Sequence, residues 1–150
     1  MNKKDTVVFD LDGTLLDTLE DLKNSVNYAM TQCGYPEHTL DEVRRYVGNG
    51  ILLLMQRAIP GGKDDPNFDK AFTLFKEHYG KHCNDTTKSY AGIMELLHTL
   101  KENNIKIAIV SNKADFAVKE LNAIYFKDLI PVAIGEKESE GIRKKPAPDT

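Results

Sequence analysis

The sequence predicts an α/β fold: a Rossmann-like parallel sheet of about three strands, interrupted after its first strand by an inserted helical region. Three short runs rich in Val and Ile, without alternating polar residues, are typical of parallel strands covered on both faces. These runs are Thr6–Phe9, Ile105–Val110 and Pro131–Ile134. Between the first and second runs, apolar residues recur at helical spacing. We therefore expect a discontinuous core of residues 1–16 and 88–150, and a four-helix cap over residues 17–87.

Two helices flank the second strand of the predicted core. Gly92–Asn103 precedes that strand and Ala114–Tyr125 follows it, and each carries its apolar residues on one face. Helix, strand, helix and strand in this order form the right-handed crossover that joins parallel strands of one sheet. The second and third apolar runs are therefore expected to be neighbours.

The inserted region begins with a helix N-cap signal, with Asp17 or Thr18 as the cap. The first helix ends near Gly34, because glycine followed closely by proline stops a helix. No strand is expected between Leu16 and Lys88. Three further helices are predicted over Thr39–Tyr46, over Ile51–Ile59, and from Phe68 to Gly80 or Asn84.

Composition and charge restrict the partners and the location. The 150 residues include 20 basic and 23 acidic residues with a net charge of −3, which favours neither nucleic acid nor a membrane as the main partner. The longest apolar run, Ile51–Met55, is far too short to span a bilayer. Cys33 and Cys83 lack metal-binding spacing and are typical of free thiols in a reducing cytoplasm. The oligomeric state is left open.

Two acidic residues follow the first apolar strand. Asp10 and Asp12 stand one residue apart and are followed by Gly13 and Thr14. Ligands bind at the carboxyl ends of parallel strands, and two acids there suit a hard cation and an aspartyl nucleophile. An Asp-x-Asp pair by itself is more often an ordinary polar turn, so the interpretation depends on the downstream residues.

Two downstream segments add hydrogen-bonding and basic groups. Ser111 and Asn112 end the second strand, where the Ser111 hydroxyl and the amides of Asn112 and Lys113 could bind an anion at the start of the next helix. An N-cap for that helix is an equally good explanation. Lys145 precedes a Pro-x-Pro sequence within a densely charged segment, which by itself would be interpreted as a solvated loop.

Together, the Asp-x-Asp-Gly-Thr segment, the Ser-Asn strand end and Lys-Pro-x-Pro resemble the haloacid dehalogenase (HAD) superfamily. The resemblance implies a Mg²⁺-dependent phosphatase in which Asp10 is the nucleophile and Asp12 is the general acid and base. Mg²⁺ would be held by the Asp10 carboxylate and the Asp12 backbone carbonyl. Lys145 would neutralise the phosphoryl group. The phosphate would be bound by Thr14, the amides around Gly13, Ser111 and Asn112.

Among HAD members, the segments Asp12–Thr18, Val47–Gly50 and Ser89–Gly92 look most like phosphoglycolate phosphatases, with a small phosphorylated metabolite as substrate. The resemblance implies that Gly48, Asn49 and Gly50 contact the leaving group of the substrate, although an inter-helix turn explains them equally well. A phosphosugar mutase, a pyrophosphatase and a catalytically impaired phosphate-binding or oligomerisation fragment remain alternatives.

The resemblance also implies a further acidic segment that completes the magnesium site. It is not found before Thr150, so we expect a truncated, cleaved or shortened chain with weak or no activity. Asp115 and Asp149 are the nearest possible substitutes, and both are better explained as acidic residues in the first turn of a helix.

Overall fold

The computed structural model describes residues 5–149, which divide into two compact units. The sheet unit comprises the residues up to Asp17 together with those from Lys88 onward, and the helical unit is Thr18–Thr87. The strands are β1 (Thr6–Phe9), β2 (Leu16–Asp17), β3 (Lys88–Ser89), β4 (Lys106–Ala114) and β5 (Val132–Glu136). The helices are α1 (Leu19–Gln32), α2 (Leu40–Tyr46), α3 (Ile51–Ala58), α4 (Phe68–His82), α5 (Ile93–Glu102) and α6 (Asp115–Tyr125).

The sheet unit contains the predicted parallel sheet, with strand order β1-β4-β5 over the described residues. Thr6 pairs with Lys106 and Phe9 with Ile109, so β1 lies beside the first four residues of β4 and its carboxyl end is next to the middle of that strand. Burial on both faces was predicted for all three strands, but it is wrong for β1 and β5, where Val8 is 58% and Val132 47% exposed. The cause is the position of these strands in the sheet, because among residues 5–149 each of them pairs with β4 alone.

The second strand extends four residues beyond the predicted end. β4 continues through Ser111 to Ala114, and α6 begins only at Asp115. Its pairing with β5 is interrupted by a bulge: Val110 pairs with Ile134, and the next pair is Ala114 with Glu136. Three residues of β4 therefore face one residue of β5. The polar residues in the bulge broke the apolar run in the sequence, although the backbone remains extended.

Apolar faces of the two predicted helices pack on this sheet. α5 buries Leu97 against β4, and α6 buries Ala117, Val118 and Leu121 while contacting both β4 and β5. A second, two-stranded antiparallel ribbon pairs Leu16 with Ser89, which contradicts the expectation of no strand at these positions. Two residues on each side are too short to produce a readable alternation in the sequence.

The helical unit contains α1 to α4 and a 3₁₀ turn at Gly62–Asp64. Its core is built mainly between α1 and α4, from buried side chains that include Val26, Met30 and Phe75. Thr39 caps α2 in a reciprocal arrangement with Glu42: its hydroxyl accepts from the Glu42 amide, and the Glu42 carboxylate accepts from the Thr39 amide. None of the helices described within residues 5–149 is both long and apolar enough to cross a membrane.

A buried carboxylate joins the beginning and the end of the helical unit. Asp21, in the first turn of α1, is 1% exposed. Its two oxygens accept hydrogen bonds from the amide and hydroxyl of Thr86 and from the amide and hydroxyl of Thr87, at 2.8 to 3.0 Å. A buried carboxylate needs this kind of compensation, because desolvation of an ion without partners costs several kcal/mol. The contact therefore fixes the two ends of the unit next to each other.

Candidate active site

Asp10 lies immediately after β1, at the carboxyl end of the sheet, with a carboxylate that is 47% exposed. Its Oδ1 accepts a hydrogen bond from the Leu11 amide at 2.8 Å and lies 3.2 Å from Nζ of Lys145. An accessible carboxylate beside a fixed ammonium group can approach an anionic substrate with less repulsion than a carboxylate in an acidic environment. This arrangement suits a nucleophile that attacks a phosphoryl group.

The loop after Asp10 is organised by its own backbone. The buried Leu11 carbonyl accepts from the amides of Thr14, Leu15 and Leu16 at 3.0 to 3.2 Å, while the Gly13 amide donates to the Leu16 carbonyl. Gly13 adopts a φ of +74°, a conformation that side chains disfavour. Because the Gly13 and Thr14 amides are paired within the loop, they differ from the free phosphate donors expected there. The exposed Thr14 side chain still offers its hydroxyl group.

Lys145 is held in place by Asn112. The Asn112 side chain accepts from the Lys145 amide at 2.8 Å and donates to the Lys145 carbonyl at 3.3 Å. The ammonium group of Lys145 then donates to the Val110 carbonyl at 2.8 Å, beside Asp10. The structure therefore gives Asn112 a specific contact that the sequence did not suggest: it fixes the lysine of a segment more than thirty residues further along the chain.

The bulge of β4 brings a second lysine to the site. Lys113 is buried, and its Nζ donates to Asp12 Oδ1 at 2.9 Å. The Lys113 amide donates to Ser111 Oγ at 3.1 Å, so it does not open the next helix as an anion-binding amide, contrary to the prediction. The sequence did not indicate a role for the Lys113 side chain, because the predicted strand ends at Val110. Continuing the strand would have placed Ser111 and Lys113 on the same face.

The remaining predicted substrate-contacting residues form one segment of the chain. Gly48, Asn49 and Gly50 belong to the helical unit, where Asn49 Oδ1 accepts from Arg57 at 3.1 Å and Gly50 caps α3. Across residues 5–149, no group of three or more His, Cys, Asp and Glu side chains is arranged to hold a metal ion. Asp10 and Asp12 contribute two carboxylates, which is one side chain fewer than such a group contains.

The two possible substitute acids are engaged in local ion pairs. Asp115 is the first residue of α6, as expected, and bonds Lys119 at 2.5 Å. Burial opposes ionisation of Asp115, but bonds from Lys119 and the Gly135 amide lower its pKa below the ordinary value. Asp149 was expected in a helix, but it lies in a turn, where two bonds from the Arg143 guanidinium lower its pKa.

The order of the sheet and the polar groups at its carboxyl edge place the chain among α/β proteins that bind ligands at the ends of parallel strands. The chain belongs to the haloacid dehalogenase-like hydrolase family, whose model matches residues 7–150. This match confirms the family resemblance predicted from the three motifs.

Individual relatives agree with this assignment. A phosphoglycolate phosphatase from Nitrosospira multiformis is 33% identical over 95% of the chain, and one from Pseudomonas putida is 35% identical over 73%. A crystal structure from Lactobacillus delbrueckii subsp. bulgaricus, provisionally named phosphoglycolate phosphatase, is 32% identical with a TM-score of 0.89 over 98% of the chain and 70% of its own length. The chain spans 64% of the Nitrosospira protein and 42% of the Pseudomonas protein, less than two thirds of the curated relatives' length.

Proposed function

We propose that the chain carries the nucleophile-bearing part of a phosphomonoester hydrolase that acts on a small phosphorylated metabolite, with phosphoglycolate as the first substrate to test. The observation that carries this proposal is the meeting of Asp10 and Lys145, which lie 3.2 Å apart although 135 positions separate them in the chain. The names of the relatives support the choice of phosphoglycolate. Cys33 and Cys83 are present as thiols and not as a disulfide, which supports a reducing cytoplasmic location.

In the proposed reaction, a carboxylate oxygen of Asp10 forms a bond to phosphorus while the bond from phosphorus to the ester oxygen breaks. Asp12 gives its proton to the departing oxygen. Asp12 then takes a proton from water, which attacks phosphorus and releases phosphate and the Asp10 carboxylate. Lys145 stabilises the negative charge of the phosphoryl oxygens, and the hydroxyl groups of Thr14 and Ser111 donate to them.

The donor set at the end of β1 fits Mg²⁺. This ion prefers oxygen ligands and is commonly held by one or two carboxylates with water and substrate completing its shell. The half-exposed Asp10 carboxylate and the backbone carbonyl of Asp12 are the groups we propose to hold it. When bound, Mg²⁺ would supply positive charge that reduces repulsion between Asp10 and the phosphoryl group.

The test is Mg²⁺-dependent hydrolysis of 4-nitrophenyl phosphate and of phosphoglycolate by the chain and by Asp10→Asn. We expect weak hydrolysis by the chain and its loss in Asp10→Asn, because an amide cannot form the covalent intermediate. Asp69→Asn, an exposed carboxylate in α4, is the matched control and should keep full activity. Equal rates for the chain and Asp10→Asn would reject the proposal.

The same proposal includes a contact between Gly48–Gly50 and the leaving group of the substrate. Asn49→Ala should then raise KM for phosphoglycolate while leaving KM for 4-nitrophenyl phosphate nearly unchanged, because the two substrates differ only in the leaving group. Arg57→Gln is the control for local structure, since Arg57 holds the Asn49 side chain. The same change in KM for both substrates, or none, would contradict the predicted contact.

A further inference from the structure

Lys113 is a buried cation at the active-site edge of the sheet. Its side chain is 2% exposed, whereas that of Asp12, the carboxylate it bonds, is 25% exposed. Burying a lone ammonium group is costly, so a lysine in this position requires an anionic partner. Asp12, whose Oδ1 lies 2.9 Å from Lys113 Nζ, provides that partner from a position 101 residues earlier in the chain.

The backbone around Lys113 is held by a tightly packed bulge. On one side, the Ser111 hydroxyl accepts from the Lys113 amide at 3.1 Å. On the other side lies Gly135 of β5, where an added Cβ would come within 2.6 Å of the Lys113 carbonyl and within 2.4 Å of Asp115 Cα. The Gly135 amide also donates to Asp115 Oδ1 at 2.9 Å. The hydrogen bond on one side and the close approach of Gly135 on the other hold the Lys113 backbone, so the bulge sets the direction in which the Lys113 side chain points.

The two lysines of the site are thus divided between its two carboxylates. Lys145 lies beside Asp10, and Lys113 bonds Asp12. Lys145 is 34% exposed and could contact a substrate, whereas the Lys113 side chain is 2% exposed and its ammonium group bonds Asp12. The charge of Lys113 therefore acts on the reaction through the carboxylate that it holds.

We propose that Lys113 is a positioning residue, which holds the Asp12 carboxylate in the orientation required for proton transfer to and from the reacting oxygens. This inference rests on the proposed function, in which Asp12 is the general acid and base. A catalytic acid must stay within hydrogen-bond reach of the oxygen that it protonates, and a displacement of about 1 Å can cost about 100-fold in rate. The lysine, anchored by the bulge, restricts the movement of the partly exposed Asp12 carboxylate.

The first test needs no activity. Asp12→Asn, Lys113→Met and the double variant are unfolded in urea without added metal. We expect Asp12→Asn to lower the urea midpoint because it leaves the buried Lys113 charge without its anion, and we expect Lys113→Met on that background to recover at least half of the loss. If the double variant is no more stable than Asp12→Asn, the two residues are not coupled and the inference is wrong.

The second test separates positioning from a purely structural role. The departing nitrophenolate needs no proton, whereas the alkoxide from phosphoglycolate does. Lys113→Met should therefore lose about 100-fold in kcat/KM for phosphoglycolate but less than about 10-fold for 4-nitrophenyl phosphate. Lys113→Arg, which keeps the charge, should recover part of the difference. Lys119→Met, which removes an exposed lysine paired with Asp115, is the control and should affect neither substrate.

The outcomes distinguish this inference from the proposed function. Equal losses on both substrates in Lys113→Met would overturn the positioning role while leaving the phosphatase proposal intact. If the unmodified chain turns over neither substrate faster than Asp10→Asn, the phosphatase proposal fails, and the urea midpoints alone decide whether Lys113 holds Asp12.

Discussion

Asp10 and Asp21 are carboxylates in different units of one chain, and their surroundings are opposite. Asp21 is almost fully buried, and two amides and two hydroxyls occupy its oxygens. Asp10 is half exposed, and its Oδ1 accepts from one amide and lies beside one lysine. A carboxylate surrounded by fixed donors stabilises the fold and has no capacity left for a ligand. A carboxylate that keeps access to solvent adds little stability and remains available for chemistry.

The sharpest test of this comparison is the stability of alanine variants. Asp21→Ala should lower the free energy of unfolding by about 3 kcal/mol, because it removes the acceptor of two amides and two hydroxyls, of which those of Thr87 are buried. Asp10→Ala should change it by less than about 1 kcal/mol. Urea denaturation followed by circular dichroism measures both values, and Asp69→Ala serves as the exposed control. Similar losses for Asp10→Ala and Asp21→Ala would remove the distinction.

A smaller effect is expected at the cap of α2, where the acceptor lies at the surface. Thr39→Ala should cost about 1 kcal/mol, because it removes the hydroxyl that accepts from the Glu42 amide. Thr39→Ser keeps that hydroxyl and should stay within a few tenths of a kcal/mol of the unmodified chain. If serine and alanine are equally destabilising, the hydroxyl bond is not the cause. The loss should remain well below that of Asp21→Ala, because Asp21 and its partner Thr87 are buried.

The smallest expected effect is a pH dependence in the helical unit. Desolvation lowers the pKa of His78, the neighbouring His82 lowers it further, and Asp85 opposes them. His78 also bonds Ser25 and stacks on Tyr28 and His82. Since the unfolded chain takes up the proton first, near pH 6.5, stability should fall slightly as the pH decreases from 6.5 towards the lower folded-state pKa.

His78→Gln provides the control for this pH dependence, since glutamine has no titrating group. Urea midpoints at pH 7.5 and 5.5 should differ less in His78→Gln than in the unmodified chain. Carboxylates with lowered pKa values, such as Glu42, stabilise the fold at both of these pH values. They lose this contribution only at more acidic pH, below their ordinary pKa near 4.5. A midpoint that is the same at both pH values in the unmodified chain would contradict the assignment to His78.

Much of the fold and part of the site could be predicted from the sequence. Strand Thr6–Phe9 was predicted with its observed bounds, and helices α2, α3, α5 and α6 within about one residue at each end. These segments have local signals: the regular spacing of their apolar residues, and the capping and helix-breaking residues at their ends. Asp10, Asp12 and Lys145 were recognised because they occur in short motifs. The ribbon between Leu16–Asp17 and Lys88–Ser89 was not predicted, since two-residue strands have no period.

The sequence by itself determined which segments form strands and helices and which of them end in acidic, hydroxyl or basic residues, because those properties depend on neighbours within a few positions. Only the tertiary structure decided the pairings: Asp21 with Thr86 and Thr87, Asn112 with Lys145, and Asp12 with Lys113. Each pair joins residues 33 to 101 positions apart. Whether a charged side chain is buried, and which partner compensates it, depends on the packing of the whole unit, so local sequence carries no signal for it.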